Sequence, residues 1–153
     1  MLKPEVAIVG AGYVGLPLGR CFAEAGIPVV LVDIDAVRVE MINRGESHVE
    51  DVPSEALATL VEAGTLSAST NYDVTCDADA IVVALPTPLS VNREPDLSTV
   101  LSAARELGKR LRTGQLVSLE STTYPGTTRE EILPILAESG LEVGKDFFLA
   151  FSP

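Results

Sequence analysis

The stretch VAIVGAGYVG, residues 6–15, decides the fold of this chain. Its opening run VAIV is apolar without alternation, which is typical of a strand buried on both faces of a parallel sheet. Gly10-Ala11-Gly12-Tyr13-Val14-Gly15 then fits the pattern GxGxxG where that strand would turn into a helix. The first glycine permits the tight turn, the second lets a pyrophosphate approach the backbone, and the third lets helix and strand pack closely. We therefore predict a dinucleotide site, in which N–H groups at the helix start face the phosphates. The alternative, a glycine-rich turn that serves packing alone, fits this strand-turn-helix context poorly.

Apolar runs of the same kind recur along the chain and alternate with helical stretches. The predicted strands cover residues 6–9, 29–32, 66–70, 80–85, 115–119 and 147–151, and the third of these is the weakest. The predicted helices cover residues 13–25, 35–43, 54–63, 97–112 and 128–138. This alternation predicts one α/β domain over residues 1–153, a doubly wound, mostly parallel Rossmann-type sheet flanked by helices.

Asp33 ends the second predicted strand, eighteen residues after Gly15. That is close to the spacing of about 20 at which a carboxylate reaches the adenosine ribose. The carboxylate would accept hydrogen bonds from the ribose hydroxyls and repel a 2′-phosphate, so the sequence favours NAD over NADP. Arg38 on the following helix can also accommodate a 2′-phosphate. We interpret Arg38 as an adenosine-side contact, and a solvated helix charge is the other interpretation.

Polar and turn residues also follow the later strands, at the carboxyl edge where open parallel sheets bind ligands. Pro86 and Thr87 begin a proline-rich loop over residues 86–95, and Thr122 follows the fifth predicted strand. Each threonine hydroxyl can bond to a ribose or to the nicotinamide end of a cofactor, or can serve only as a turn or cap. Their shared position at one edge favours the cofactor role.

The composition limits the class of function. The 153 residues carry 11 basic and 22 acidic side chains, a net charge of −11, which disfavours nucleic acid and anionic membrane as partners. No apolar run approaches the roughly 18 residues of a membrane span, and no signal-peptide pattern opens the chain. The two cysteines lack metal-site or disulfide spacing, which favours a reduced, cytoplasmic setting. We expect Cys21 to be buried inside the first helix, Cys76 to be unreactive, and the lone His48 to be a surface residue.

The same motifs resemble those of the amino-terminal domain of the UDP-glucose/GDP-mannose dehydrogenase family, over essentially the whole chain. The stretches that carry the resemblance are GAGYVGLP (10–17), VDID (32–35), INRG (42–45), PTPL (86–89), PDLS (95–98), ESTTYPGT (120–127) and FSP (151–153). The PTPL and ESTTYPGT stretches look most like those of members that oxidise UDP-N-acetylhexosamines such as UDP-N-acetylmannosamine.

The resemblance implies a function for the parent protein. C6 of a nucleotide sugar would pass from alcohol to carboxylate in two NAD-dependent hydride transfers, with a cysteine of a later domain holding the aldehyde-level intermediate as a thiohemiacetal. This chain would then be the cofactor part of a homo-oligomeric enzyme, without the helical and substrate domains. Carried over by position, the cofactor contacts are Gly10, Gly12, Tyr13, Val14, Gly15, Asp33, Arg38, Pro86, Thr87 and Thr122, with Thr123 a possible substitute for Thr122.

Two rival functions stay open at this stage. The chain could be the cofactor domain of another Rossmann dehydrogenase, or a nucleotide-sensing module that performs no chemistry. Continuation of the native gene past Pro153 into a helical segment and a cysteine-bearing second Rossmann unit would favour the enzyme.

Overall fold

A six-stranded parallel sheet forms the centre of the molecule, in a computed structural model that describes residues 2–89 and 95–152. Its strands are β1 (Val6–Val9), β2 (Val29–Val32), β3 (Leu66–Ser69), β4 (Ala80–Val83), β5 (Leu116–Leu119) and β6 (Phe148–Phe151). They lie in the order β3-β2-β1-β4-β5-β6, and every neighbouring pair is parallel. This is the doubly wound order, in which the direction of winding reverses between β1 and β4. The predicted fold class is therefore confirmed.

The apolar runs are continuous because both faces of the sheet are covered by helices. Val6 and Ile8 of β1 belong to a core shared with α1 (Gly15–Glu24), α2 (Ala36–Asn43) and α3 (Ser54–Glu62), whereas Ala7 and Val9 belong to a second core. That second core includes residues of α4 (Ser98–Gly108) and α5 (Leu133–Ala137). Alternate residues of one strand thus enter opposite cores.

Two predicted helices differ from the structure. The fourth was expected to run to residue 112 but ends at Gly108, and the backbone N–H of Arg112 donates to Gln115 Oε1 at 2.8 Å instead of to the carbonyl of Gly108. The Arg112 guanidinium lies against the connection before β4. It donates to the carbonyls of Cys76 and Ala78 at 2.8 and 2.9 Å. The glycine at position 114, with φ of +90°, then turns the chain into β5.

The fifth helix was predicted as one α-helix over residues 128–138, and this is wrong. The segment Thr127–Ile132 is π-helical, and only Leu133–Ala137 is α-helical. Pro134 has no N–H group, so the carbonyl of Glu130 cannot receive the usual bond from four residues ahead. The wider turn lies directly before that proline, as expected where the helical bond pattern is interrupted.

The burial of Cys21 was also predicted wrongly. The residue lies on the exposed side of α1, and both cysteines are free thiols. The opposite side of the helix supplies its buried residues, Gly15, Leu16, Gly19 and Ala23. Within the described residues, the helices are too short and too polar to cross a membrane.

Candidate dinucleotide site

Gly10 and Gly15 fix the turn from β1 into α1 through close backbone contacts. Gly10 has φ of +102°, and a Cβ there would lie 2.4 Å from the carbonyl oxygen of Ala84, the residue that follows β4. A Cβ on Gly15 would lie 1.7 Å from the carbonyl oxygen of Gly10 itself. Side chains cannot be accommodated at either position, so these two glycines are required by the path of the chain.

Gly12 differs, because a Cβ placed on it would meet no atom within 4 Å. The start of α1 next to it is also uncapped: Val14 occupies the N-cap position, no side chain accepts a hydrogen bond there, and the first turn has no acidic residue. Among the described residues, no acceptor bonds to the amides of Gly12, Tyr13 or Val14. Free amides at the positive end of a helix dipole form an anion site.

Asp33, buried at 8% exposure, holds this loop from the end of β2. Its Oδ2 accepts from the Ala11 N–H at 2.9 Å and from Arg38 Nη1 at 2.8 Å, and its Oδ1 accepts from the Asp35 N–H at 3.0 Å. Burial raises the pKa of the Asp33 carboxyl, but these N–H groups and the guanidinium lower it more, so the net pKa lies below the usual 3.8. Asp33 is thus ionised at neutral pH, and Arg38 is paired with it and is not a free solvated charge.

The carboxyl ends of β1, β2, β4 and β5 converge on a cavity of about 480 Å³. This volume is within the range of small-molecule sites. Nine of the ten cofactor positions expected from sequence line it: Gly10, Gly12, Tyr13, Val14, Asp33, Arg38, Pro86, Thr87 and Thr122. Gly15 does not line the cavity, because it is buried beneath the loop.

The charges that line this cavity are few. Asp33 and Glu120 are acidic, and Arg38, whose guanidinium is paired with Asp33, is the basic side chain of the described lining. Phosphates in the cavity would therefore have to be neutralised mainly by backbone amides and the helix dipole of α1. That fits the free amides at the start of this helix.

Thr87 and Thr122 do come together, but not as equivalent groups. The Thr87 hydroxyl donates to the Thr122 carbonyl at 2.6 Å, which leaves its oxygen able to accept, while the Thr122 side chain is exposed. Ser121 supports both strand ends, since its buried hydroxyl accepts from the Leu85 N–H at 3.0 Å. Thr123 lies instead in a separate cavity with Phe151. Residues 90–94 of the proline-rich loop and Pro153 lie outside the described residues.

His48 was expected at the surface, and this is wrong. It is half-buried, it lines the cavity, and its Nε2 lies 2.8 Å from the Ala11 carbonyl oxygen. The connection between α2 and α3 brings it back to a loop 37 residues earlier in the chain. Sequence spacing carries no signal for such a return. The lining residues Ile34, Leu85 and Thr99 were also missed, although the first follows Asp33 directly.

No group of three or more potential metal ligands is found among residues 2–89 and 95–152. The carboxylates of Asp77, Asp79, Glu130 and Glu131 are exposed, and Asp79 bonds to Arg112 at 2.6 Å. What this cavity offers is free amides, a buried carboxylate and hydroxyls. Those groups can hold a dinucleotide.

Comparisons with known proteins identify the family of this chain. Residues 4–153 match the family model described as "UDP-glucose/GDP-mannose dehydrogenase family, NAD binding domain". The chain is 38% identical to UDP-N-acetyl-D-glucosamine 6-dehydrogenase of Pseudomonas aeruginosa, covering 97% of this chain and 35% of that protein. It is 43% identical to UDP-N-acetyl-D-mannosamine dehydrogenase of Escherichia coli, covering 87% and 31%.

A solved structure shows the same likeness in three dimensions. The ternary complex of GDP-mannose dehydrogenase from Pseudomonas aeruginosa superposes with a TM-score of 0.93 at 30% identity, covering 97% of this chain and 36% of that one. The chain therefore spans about a third of the length of the relatives it matches.

Proposed function

The chain belongs to the UDP-glucose/GDP-mannose dehydrogenase family as its NAD-binding domain, and we propose from this premise how NAD is held. The pyrophosphate rests against the amides of Gly12, Tyr13 and Val14, and the adenosine ribose lies against Asp33. The observation that carries this proposal is the uncapped start of α1 beside the open space at Gly12. An apolar N-cap leaves helix amides without an acceptor, and a phosphate satisfies them.

The other contacts follow from the strand ends around the cavity. Arg38 flanks the adenosine side through its pair with Asp33, and Pro86, Thr87 and Thr122 contact the cofactor toward its nicotinamide end. The ionised Asp33 disfavours a 2′-phosphate, because like charges brought together at a buried site cost several kcal/mol. Gly15 contributes indirectly, by permitting the loop.

The cofactor preference tests this placing. We expect calorimetry to show NAD binding at least about tenfold more tightly than NADP, equivalent to about 1.4 kcal/mol. Asp33→Asn should reduce that preference while its amide oxygen can still accept the Ala11 N–H. Asp77→Asn, a matched removal of charge at an exposed site that does not line the cavity, should leave the preference unchanged. A wild type that prefers NADP, or an Asp33→Asn variant that binds NAD as wild type does, would contradict the assignment.

We also propose the reaction of the parent protein. It oxidises C6 of a UDP-N-acetylhexosamine to a carboxylate in two hydride transfers to NAD, with water supplying the second oxygen. The support is the pair of relatives whose names state such substrates, together with the PTPL and ESTTYPGT stretches. The nucleophilic cysteine and most sugar contacts belong to the remaining two-thirds of the parent, in its helical and carboxyl-terminal domains, so the present chain alone does not turn over.

The full-length protein tests the reaction. It should form two NADH for each UDP-N-acetylglucosamine or UDP-N-acetylmannosamine consumed, and less with UDP-glucose. Binding of NAD without NADH formation on any of these sugars would favour a sensing module instead.

We also propose that the parent is a cytoplasmic homo-oligomer that acts in polysaccharide biosynthesis. The free thiols of Cys21 and Cys76 support a reducing compartment.

A further inference from the structure

His48 is attached to the glycine loop, residues 10–15, by one hydrogen bond of defined direction. Its Nε2 lies 2.8 Å from the carbonyl oxygen of Ala11. A carbonyl oxygen can only accept, so Nε2 must carry the proton. The other ring nitrogen, Nδ1, is a buried side-chain atom without a hydrogen-bond partner among the described residues. Of the two neutral tautomers, only the Nε2–H form makes this bond.

The peptide that His48 contacts is the one that presents Gly12. The Ala11 carbonyl and the Gly12 N–H belong to a single peptide unit, which is planar and trans, as are the other peptides of the described residues. In a trans peptide the C=O and N–H point in opposite directions. Anchoring the carbonyl to His48 therefore fixes the direction of the Gly12 N–H, which has no acceptor among the described residues.

The neighbouring peptide is held just as firmly. The N–H of Ala11 donates to Asp33 Oδ2 at 2.9 Å, and the residue is fully buried. The two polar groups of Ala11 are thus bound on one side by the end of β2 and on the other by His48. The bond from His48 to the Ala11 carbonyl also polarises the peptide between Ala11 and Gly12, which makes the Gly12 N–H a better donor.

The connection that carries His48 is itself anchored. The neighbouring residues Val49 and Val52 are buried in the core beneath the sheet. The Ser47 N–H donates to Ser54 Oγ at 2.9 Å, which ties the connection to the start of α3. The imidazole therefore sits on a fixed support.

We propose that His48 is a positioning residue for the dinucleotide. By donating from Nε2 to the Ala11 carbonyl, it aims the Gly12 N–H at the pyrophosphate. This inference rests on the proposed placing of the pyrophosphate on the glycine loop, and it adds a residue outside the glycine motif to that site.

Two variants and a matched control test the inference by calorimetry. His48→Leu removes the donor and should weaken NAD and ADP-ribose about tenfold and equally. His48→Gln should restore most of that affinity, because its amide nitrogen can occupy the place of Nε2. Glu50→Gln, an exposed change in the same connection, should bind NAD as wild type does. Adenosine, which has no phosphate, should bind all four proteins equally by NMR titration.

The outcomes separate positioning from general damage. Equal NAD affinity in His48→Leu and wild type would overturn the inference, as would equal losses for NAD and adenosine or a failure of glutamine to restore binding. If wild type bound no NAD, the proposed function would fail and the inference with it. If wild type binds and His48→Leu matches it, only the inference fails.

A second measurement needs no variant. His48 is the single histidine of the chain, so its ring nitrogens are assigned directly by ¹⁵N NMR of labelled protein. The inference predicts a proton on Nε2, both without and with NAD. The Nδ1–H tautomer would overturn it, because Nε2 could not then donate to the Ala11 carbonyl.

Discussion

The glycine loop has a buried half and an open half, and they use the same residue type for different reasons. At Gly15 a Cβ would lie 1.7 Å from the Gly10 carbonyl oxygen and 3.3 Å from Ile8 Cγ2, so the glycine permits folding. At Gly12 a Cβ would meet no atom within 4 Å, so nothing in the protein requires the glycine there. The contrast teaches that one motif combines a folding requirement with a ligand requirement. Substitutions at the two positions should therefore affect different measurements.

The largest effect is expected in the buried half. Gly15→Ala places a methyl group against backbone atoms that no rotamer change can move. We expect the free energy of unfolding to fall by about 3 kcal/mol or more, at the upper end for overpacking. Urea denaturation measures this. A midpoint equal to that of wild type would mean that the loop can open around the methyl group and that the buried half imposes no constraint.

The open half should respond in the opposite way. Gly12 is not among the glycines with positive φ, so Gly12→Ala should leave the free energy of unfolding unchanged or raise it by about 0.5–1 kcal/mol. The methyl group would occupy the approach of the pyrophosphate, and we expect NAD to bind about 100-fold more weakly, equivalent to about 2.7 kcal/mol. Calorimetry and urea denaturation on the same sample check both results. Loss of stability with unchanged NAD affinity would reverse our assignment of the two halves.

The carboxylate that joins the halves gives a smaller, pH-dependent effect. The pKa of Asp33 is lowered in the folded chain, so the ionised carboxylate stabilises the fold. This stabilisation is fully present above the unfolded-state pKa, near 4, and is lost as pH falls through the folded-state pKa. We expect the free energy of unfolding of wild type to exceed that of Asp33→Asn by about 1–2 kcal/mol at neutral pH. The difference should shrink below about pH 4. Urea denaturation across this pH range measures it. A difference that stays constant or grows on acidification would contradict the hydrogen-bond pattern.

The smallest effect is expected on the exposed face of α1. Cys21→Ser lies on the same helix as Gly15 but away from the loop and the core. Its free energy of unfolding should stay within about 0.5 kcal/mol of the wild-type value, and NAD affinity should not change. The variant thus calibrates the other three. A loss above about 1 kcal/mol in thermal or urea unfolding would show that this face of the helix is packed.

The sequence predicted the sheet because its strands are buried on both faces and so read as continuous apolar runs. Strand ends were less predictable. The fourth strand was expected to reach Leu85 but ends at Val83, since the Leu85 N–H bonds to Ser121 Oγ and not to a neighbouring strand. The last strand is apolar throughout, yet Phe148 and Phe151 are half-exposed at the edge of the sheet. Apolar sequence alone does not distinguish an edge strand from a central one.

The sequence predicted those site residues that lie close together along the chain. The glycines and Asp33 lie within one strand-helix-strand unit, and their distances along the chain fix their meeting in space. His48 could not be found in this way, because its bond to Ala11 depends on how the connection between α2 and α3 folds back. The motif predicted the division of the glycines into two roles, but not the atoms that enforce it, since those of Gly10 and Ala84 approach only in the folded chain.

A crystal structure of this chain with NAD tests the central claim most directly. The account predicts pyrophosphate oxygens within hydrogen-bond distance, about 2.7–3.2 Å, of the backbone nitrogens of Gly12, Tyr13 or Val14, with the ribose against Asp33. NAD bound elsewhere, for example in the cavity beside Phe151, with those amides free of ligand, would contradict it.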